Sequence, residues 1–206
     1  MSAEEEKVNT LWIATTNLGK LKEFERLLAP LQFHVKSLRD AGAYSAPKET
    51  GKTFEENAFI KARSLSKVKA GELVVADDSG LEVSGLNNIP GVHSARYAGE
   101  NASDLQNYTK LLKMVELRTN QNRDARFVCH LCLIDEKGER YDFVGELKGQ
   151  IAKKATGRNG FGYDPVFVPE GFDKSMAELD DAQKNQISHR SIATQKLLSF
   201  LTAKIE

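Results

Sequence analysis

The segment ELVVADDSGLEVSGL spans residues 72–86 and passes abruptly from apolar to acidic residues. Its first part, Glu72–Ala76, has the continuous apolar character of a strand that is buried on both faces. Asp77 and Asp78 follow at once, and the next two residues, serine and glycine, are common in turns. The sequence therefore predicts a buried strand that ends at two adjacent carboxylates, at a sheet edge where α/β proteins commonly bind ligands.

Strand and helix patterns surround this segment in a mixed order. Strands are predicted at 10–16, 32–38, 72–76, 125–135 and 140–151, and helices at 18–30, from 53 past 65, at 103–117 and after 188. The last two strands flank the turn EKGE, which is typical of a hairpin. The order predicts an α/β fold with a central mixed β-sheet flanked by helices. Because the long hairpin extends the sheet, two lobes with a ligand cleft between them are expected.

The helices carry recognisable start signals and apolar faces. Thr53, with Glu56 three residues later, resembles a capping box, and Ser103 and Ser188 are N-cap candidates for the next helices. The residues expected to face the core are Leu21, Phe24, Leu27 and Leu28 in the first helix (with Pro30 beyond its end), Phe54, Ala58, Ala62 and Leu65 in the second, and Thr194, Leu198, Leu201 and Ile205 in the last.

Composition narrows the class of protein. The 206 residues include 29 Lys or Arg and 29 Asp or Glu, so the formal net charge is zero, which disfavours a general nucleic-acid binder. The polar start, MSAEEEKVNT, lacks the features of a secretory signal, and no apolar run approaches the ~20 residues that span a bilayer. We expect a soluble cytoplasmic protein without a membrane partner, with a flexible segment at 1–9 and a single domain at 10–206.

The two cysteines, Cys129 and Cys132, form a C-x-x-C pattern in FVCHLCLI. This pattern occurs in zinc sites and redox motifs. Here it lies in a predicted strand, where an offset of three places the two thiols on opposite faces. The sequence therefore predicts two buried core cysteines.

Two polar clusters interrupt the predicted helices and strands in the first half of the chain. ATTNLGK, residues 14–20, joins a strand to a helix start, where free N–H groups and Lys20 suit a phosphate. The alternative is a capped helix with a solvated lysine. In PKETGKTFEEN, residues 47–57, Glu55 and Glu56 favour the helix dipole, whereas Glu49 lies in a loop without such a structural reason.

The adjacent acids Asp77 and Asp78 form the third cluster. Neighbouring carboxylates repel each other unless a cation or water lies between them. Magnesium binds one or two carboxylates together with substrate phosphates, and a carboxylate can also accept a proton from an attacking water. The alternative is a turn rich in aspartate without chemistry.

The fourth cluster combines GRNGFGYDPVF, residues 157–167, with KNQISHRS, residues 184–191. Its glycines permit close approach of a ligand to the backbone. Phe161 and Tyr163 can stack on a flat ring, and Asp164 can accept hydrogen bonds from a base. The alternative is a glycine-rich turn beside a solvated basic helix start. All four clusters together indicate a nucleotide and its metal.

The motifs ATTNLGKLKEF, ETGKTFEENAFIKA, ADDSGLEV, PGVHSARYAGE, GRNGFGYDPVF and ISHR together resemble the inosine triphosphate pyrophosphatase family, from about Leu11 to Leu201. The resemblance implies a homodimer that binds Mg²⁺. It also implies hydrolysis of ITP, dITP and XTP between the α and β phosphates, which yields the nucleoside monophosphate and pyrophosphate.

The resemblance also implies roles for individual residues. Asp78 would be the general base and a metal ligand, with Asp77 supporting the metal and Ser79 touching the substrate. The residues that would hold the triphosphate are Thr15, Thr16, Asn17, Leu18, Gly19 and Lys20. The base pocket would be formed by Phe161, Gly162, Tyr163 and Asp164, and contacts to the base and adjoining groups would come from Lys184, His189 and Arg190. One departure is notable, because many relatives carry two acids where this chain has Lys48 and Glu49. Since a lysine cannot bind magnesium, either Glu49 or water takes the place of the missing ligand, and Glu49 is the expected one.

Three other readings remain open at this point. One is a related pyrophosphatase for modified pyrimidine or methylated nucleotides, although the SHR and FGYDPVF motifs favour purines. Another is a nucleotide sensor that has lost the chemistry, which the lysine at position 48 keeps open. The third, a structural or nucleic-acid-binding protein, is disfavoured by the neutral charge.

Overall fold

The structure, a computed structural model, describes residues 10–29, 33–118 and 121–205. Its centre is a seven-stranded mixed sheet with the strand order β2-β1-β3-β5-β6-β7, and β4 pairs with β3. The strands are β1 Thr10–Ile13, β2 His34–Ser37, β3 Leu73–Val83, β4 Ile89–Pro90, β5 Asp124–Ile134, β6 Arg140–Ile151 and β7 Phe167–Pro169. The helices are α1 Leu18–Leu28, α2 Phe54–Val68, α3 Asp104–Arg118, α4 Asp181–Ile187 and α5 His189–Ile205.

The sheet is mixed because its two kinds of connection differ. β1 runs parallel to β2 and to β3, and α1 and α2 supply the crossovers that parallel strands require. The remaining pairs are antiparallel, and the predicted hairpin joins β5 to β6. The prediction of an α/β fold with a mixed sheet is confirmed.

Helices cover both faces of the sheet. Around β1, the first part of β3 and β5, one face packs against α1 and α5 and the opposite face packs against α2. A third apolar cluster joins the far ends of β3, β5 and β6 to α3. Within the described residues, no helix is long and apolar enough to cross a membrane. The flexible segment predicted at 1–9 and the helix-ending Pro30 lie outside the described residues.

The predicted helix caps are present. Thr53 Oγ1 accepts a hydrogen bond from the N–H of Glu56 at 3.1 Å, and Ser188 Oγ accepts one from Ser191 at 3.0 Å. Ser103 exchanges hydrogen bonds with Gln106, as in a capping box. The side chain of Glu56 differs from expectation, since it accepts from the N–H of Lys52.

The predicted buried face of the last helix needs a small correction. Ala193, Leu197 and Leu201 are the α5 side chains in the core, and Leu198 is only half-buried against it. Thr194 is fully buried, and the side chain of Ile205 lies outside the described residues. Because the true face lies about one residue earlier than the predicted one, spacing alone located the helix but not its rotation.

The largest correction concerns β3, which the sequence predicted to end at Ala76, directly before Asp77. The strand continues to Val83, and Asp77 and Asp78 pair with Leu131 and His130 of β5 in the middle of it. Gly80 has a structural reason to be a glycine inside a strand, because a Cβ there would lie 2.5 Å from the Oγ of Ser94. Serine and glycine, which are common in turns, therefore lie here inside a strand, because the segment that contains Ser94 packs closely against Gly80.

Four further elements differ from the sequence prediction. β1 ends at Ile13, three residues before the predicted end, and β2 is shorter at both ends among the residues that the structure describes. α4 and β7 were not predicted. Cys129 packs with the α1 and α5 cluster and Cys132 with the α2 cluster, so the prediction of two buried cysteines on opposite faces is confirmed.

Candidate active site

A cleft forms where β3 changes its neighbours. β1 pairs with β3 only as far as Val75, and β4 joins β3 only at Glu82. Between these two points the described chain places no strand on that side of β3, while β5 continues on the other side. The resulting cleft has a volume of about 330 Å³, and its floor is the middle of β3.

Most of the predicted site residues line this one cleft. They are Thr15, Thr16, Asn17, Lys20, Glu49, Asp77, Asp78, Ser79, Phe161, Gly162, Tyr163, Asp164, Lys184, His189 and Arg190. Leu18 and Gly19 do not line it. The side chain of Leu18 is 48% exposed, and Gly19 packs beneath Phe161, where a Cβ would lie 2.7 Å from the ring.

The loop after β1 is organised as a helix start. Asn17 caps α1, and its Oδ1 accepts a hydrogen bond from the N–H of Lys20 at 3.1 Å. Thr15 Oγ1 accepts one from the N–H of Asn17 at 3.2 Å. This arrangement turns the positive end of the helix and the Lys20 ammonium toward the cleft, which suits a phosphate chain.

Asp77 lies on the sheet face that packs against α1 and α5, and it is 1% exposed. One of its oxygens contacts the ammonium of Lys20, and the other accepts from Arg190 Nε at 3.4 Å and from the Cys129 thiol at 3.0 Å. Burial raises the pKa of Asp77, but the charges of Lys20 and Arg190 outweigh it and hold the pKa well below the usual range. Asp77 is therefore a fixed anion that organises two cations.

Glu23 extends this network toward the other end of the cleft. Its carboxylate contacts Arg190 and lies 2.9 Å from the Nζ of Lys184. Burial raises the pKa of Glu23, but the charges of Arg190 and Lys184 lower it by more than burial raises it, so the net pKa is lowered and the carboxylate stays ionised. Arg190 also donates to Ser79 Oγ at 2.7 Å, which completes its contacts along this wall.

Asp78 points to the opposite face of β3, toward α2. It accepts hydrogen bonds from Asn57 Nδ2 at 3.2 Å and from Lys61 Nζ at 3.0 Å. The same Lys61 nitrogen lies 2.8 Å from Glu49, which Arg96 approaches at 3.5 Å. Burial raises the pKa of Asp78 above its ordinary value, and Lys61 only partly offsets this effect. Asp78 therefore has the higher basicity that suits a general base.

The donor chemistry around Asp78 fits magnesium. Glu49 and Asp78 already converge on one cationic atom, the Nζ of Lys61. No cluster of three or more His, Cys, Asp or Glu side chains that could hold a metal occurs in the part of the chain that the structure describes. Magnesium is commonly bound by one or two carboxylates, and phosphate and water oxygens fill its remaining coordination positions. Asp77, which the resemblance placed near the metal, faces the other way and contacts two cations.

The opposite end of the cleft is aromatic and basic. Lys184 Nζ lies 2.7 Å from Asp164 and 5.0 Å from the centre of the Phe161 ring. Tyr163 is buried, and its hydroxyl donates to the carbonyl oxygen of Ser94 at 2.7 Å. Phe161 is thus the aromatic ring available for stacking, whereas Tyr163 is committed to the core.

His189 stands at this end as a neutral imidazole. Its ring stacks on Phe127 with centroids 4.7 Å apart, and its buried Nδ1 has no hydrogen-bond partner within the described chain. Burial and the charge of Arg190 hold the pKa of His189 well below its usual range. A buried polar atom without a partner inside a cleft is the kind of atom that a ligand satisfies.

Four residues that contact the site were not singled out from the sequence. Glu23 contacts Arg190, and Asn57 donates a hydrogen bond to Asp78. Lys61 and Arg96 both donate to Glu49. Helical spacing was the available signal for two of them, because Asn57 and Lys61 lie four residues apart on the α2 face that meets Asp78.

The profile of the Ham1 family matches residues 11–200, which is nearly the whole chain. The chain belongs to the Ham1 family. This finding confirms the resemblance drawn from the motifs.

Two relatives of this Ham1 chain carry the same name. A protein of Bdellovibrio bacteriovorus called dITP/XTP pyrophosphatase is 50% identical over 192 residues, which cover 93% of this chain and 96% of the relative. The protein of Bacillus subtilis with the same name is 45% identical over 191 residues, with 93% and 96% coverage.

Solved structures of the family superpose closely on this chain. The Staphylococcus aureus Ham1 protein has a TM-score of 0.84 at 42% identity and covers 95% of this chain and 100% of its own. The dITP/XTP pyrophosphatase of Mycobacterium abscessus has a TM-score of 0.75 at 41% identity, with 93% and 99% coverage.

Proposed function

We propose that this Ham1 chain hydrolyses non-standard purine nucleoside triphosphates, namely ITP, dITP and XTP, to the nucleoside monophosphate and pyrophosphate. Such a reaction removes these nucleotides from the pool available for polymerisation. The observation that carries the proposal is the pair of buried aspartates on opposite faces of β3, in a cleft that the predicted phosphate and base residues line.

Asp78 is the proposed general base. Its raised pKa and its position on the cleft floor suit removal of a proton from a water molecule. The oxygen of that water forms a bond to the α-phosphorus, and the bond from this phosphorus to the bridging oxygen of the β-phosphate breaks. Pyrophosphate then leaves with that oxygen, and Asp78 holds the proton until solvent accepts it.

Glu49 and Asp78 are the proposed magnesium ligands, and Asp77 is not. A magnesium ion bound there would neutralise phosphate charge and lower the pKa of water. Lys61, which contacts both carboxylates, balances their charge. The exposed Lys48 beside Glu49 has no ligand role.

The triphosphate is proposed to lie against the β1–α1 loop. Thr15, Thr16 and Asn17 supply hydroxyl and amide groups there, and Lys20 supplies charge at the positive end of α1. Asp77 holds the Lys20 ammonium in this place through a direct contact. Leu18 and Gly19 support the loop, because neither lines the cleft.

Base selection is proposed to depend on hydrogen-bond donors near a 6-oxo group. Lys184 uses two of its three N–H groups on Asp164 and Glu23, and neutral His189 offers a ring N–H. A donor suits the 6-oxo group of hypoxanthine or xanthine and meets another donor in the 6-amino group of adenine. One unpaired polar group disfavours binding by about 1–3 kcal/mol, so a preference of roughly tenfold to a hundredfold over ATP is expected.

The test is a substrate panel with two separate product assays. Purified protein is incubated with ITP, XTP, dITP, ATP and GTP, with and without magnesium, and pyrophosphate and orthophosphate are measured separately. Magnesium-dependent pyrophosphate from ITP, dITP and XTP, with little from ATP, is the expected result. Orthophosphate would contradict the bond assignment, and ITP binding without any product would instead support a nucleotide sensor.

We also propose that the chain forms a homodimer, as the family resemblance implies, and that it acts in the cytoplasm. Light scattering coupled to gel filtration measures the assembly directly. A mass near twice the 22.9 kDa of the chain is expected, and a mass of one chain at micromolar concentration would contradict it.

A further inference from the structure

Cys129 lies at the boundary between the apolar core and the charged wall of the cleft. It is fully buried in the apolar cluster between the sheet and helices α1 and α5, which also contains Leu11, Ile13 and Phe24. Its sulfur lies 3.0 Å from Oδ2 of Asp77. A cysteine in this position packs as a small apolar residue on one side and offers an S–H donor on the other.

The direction of this hydrogen bond is fixed by charge. Burial raises the pKa of the Cys129 thiol well above its usual value, and the neighbouring Asp77 raises it further, so the sulfur keeps its proton. Asp77 contacts two cations, Lys20 and Arg190, so its carboxylate oxygens act as acceptors. The thiol is also the nearer of the two donors to Oδ2, because Arg190 Nε lies 3.4 Å away.

Lys20 depends on Asp77 more than Arg190 does. Among the described residues, the ion pairs of Lys20 involve Asp77 alone. Arg190 is also held by Glu23 and Ser79. A change in the orientation of the Asp77 carboxylate therefore moves the Lys20 ammonium first and leaves Arg190 anchored.

We propose that Cys129 is a positioning residue that orients the Asp77 carboxylate and, through it, the Lys20 ammonium for the substrate triphosphate. This inference rests on the proposed function, because Lys20 is the residue assigned to the phosphates. It assigns the thiol a role in phosphate binding and no role in metal or redox chemistry.

The experiment compares Cys129→Val, which stays apolar at a somewhat larger volume and removes the donor, with Cys129→Ser, which keeps a donor. Cys132→Val is the matched control, since Cys132 is equally buried in β5 but packs against α2, on the sheet face opposite Asp77. Affinity for ITP and for inosine is measured by calorimetry in EDTA, and KM, kcat and the melting temperature are measured alongside.

The expected result is a loss of about tenfold in ITP affinity and a matching rise in KM for Cys129→Val, with kcat within about threefold and inosine affinity unchanged. Cys129→Ser should stay within about threefold of the unmodified protein, and Cys132→Val within about twofold. Equal losses in Cys129→Val and Cys132→Val that follow the melting temperature would overturn the proposal, as would unchanged ITP binding by Cys129→Val.

The experiment also covers a valine variant that does not fold and a protein that binds ITP without hydrolysing it. Cys129→Ala provides the same comparison with serine where the valine variant does not fold. An unmodified protein that binds ITP without releasing pyrophosphate would refute the proposed reaction while the affinities of the variants still decide the role of Cys129.

Discussion

Asp77 and Asp78 are neighbours in the chain, and both are buried, yet the two faces of β3 give them opposite properties. On the α1 and α5 face, Asp77 contacts two cations, Lys20 and Arg190, and its pKa is lowered. On the α2 face, Asp78 shares one cation, Lys61, with a second carboxylate, and its pKa is raised. Burial acts on both in the same direction, so the number of cations for each carboxylate decides the difference.

This difference separates two tasks that a phosphate-cleaving site needs. A carboxylate with surplus positive charge around it keeps its position and its charge, and it orients the groups that bind phosphate. A carboxylate with too little positive charge retains basicity and readily accepts a further cation or a proton. Because neighbouring residues of a strand point to opposite faces, one dipeptide supplies both.

The largest expected effect is on the chemical step. Asp78→Asn should lower kcat for ITP by about 10²–10⁴-fold, because it removes the proposed general base. The unfolding free energy should change by only about 1 kcal/mol, because replacing a charge that burial disfavours removes little stability. Steady-state pyrophosphate release and urea unfolding measure the two quantities. Retained activity would remove Asp78 from the mechanism.

Asp77→Asn should give the opposite pattern in stability. It leaves Lys20 and Arg190 without their shared buried anion, and breaking such a pair destabilises by about 3–5 kcal/mol. Urea unfolding of this variant beside Asp78→Asn measures the contrast. Equal stability of the two variants would contradict the assignment of Asp77 as the structural anion.

Acid should distinguish the two aspartates a second time. The lowered pKa of Asp77 contributes stability that is present above about pH 4, the usual aspartate value, and is lost as the pH falls through the folded-state pKa. The melting temperature of Asp77→Asn should therefore fall less steeply below pH 4 than that of the unmodified protein. Asp78 has a raised pKa, so its protonation adds stability as the pH falls toward about 4, and Asp78→Asn should make the melting temperature fall more steeply in that range above pH 4. Parallel curves for all three proteins would contradict both shifts.

The smallest expected effects separate Glu49 from Lys48. Glu49→Gln removes one of two proposed ligands and should raise the magnesium concentration for half-maximal activity by about tenfold, or roughly 1.4 kcal/mol. Lys48→Ala changes an exposed side chain, and its unfolding free energy should change by less than about 0.5 kcal/mol. A magnesium titration of both variants is the measurement. A larger shift for Lys48→Ala would reverse the assignment.

Local signals in the sequence predicted most of the architecture. The caps at Thr53, Ser103 and Ser188 and the hairpin of β5 and β6 depend on neighbouring residues, so they are readable from one chain. The end of β3 was misread, because Asp-Asp-Ser-Gly favours a turn locally. Pairing with β5 and the buried cations, which come from distant parts of the chain, override that preference.

The partners of the site residues were less predictable than the residues themselves. The motifs located most of the side chains that line the cleft. They did not indicate that Asp77 and Asp78 face opposite ways, because that follows from strand conformation at a place where the sequence suggested a turn. They also did not indicate the contact of Cys129 with Asp77, which depends on the register between β3 and β5.

The continuity of β3 and β5 limits how this molecule can move. The two strands pair without interruption from Val74 with Ile134 to Val83 with Ala125, and they pass beneath the cleft from one half of the protein to the other. A linker between two rigid bodies would permit a hinge, whereas a paired ribbon resists sharp bending and changes shape by twisting. We therefore expect closure over a nucleotide to involve the surrounding loops and a gradual coiling of this ribbon. Amide exchange in the middle of both strands should stay slow throughout turnover.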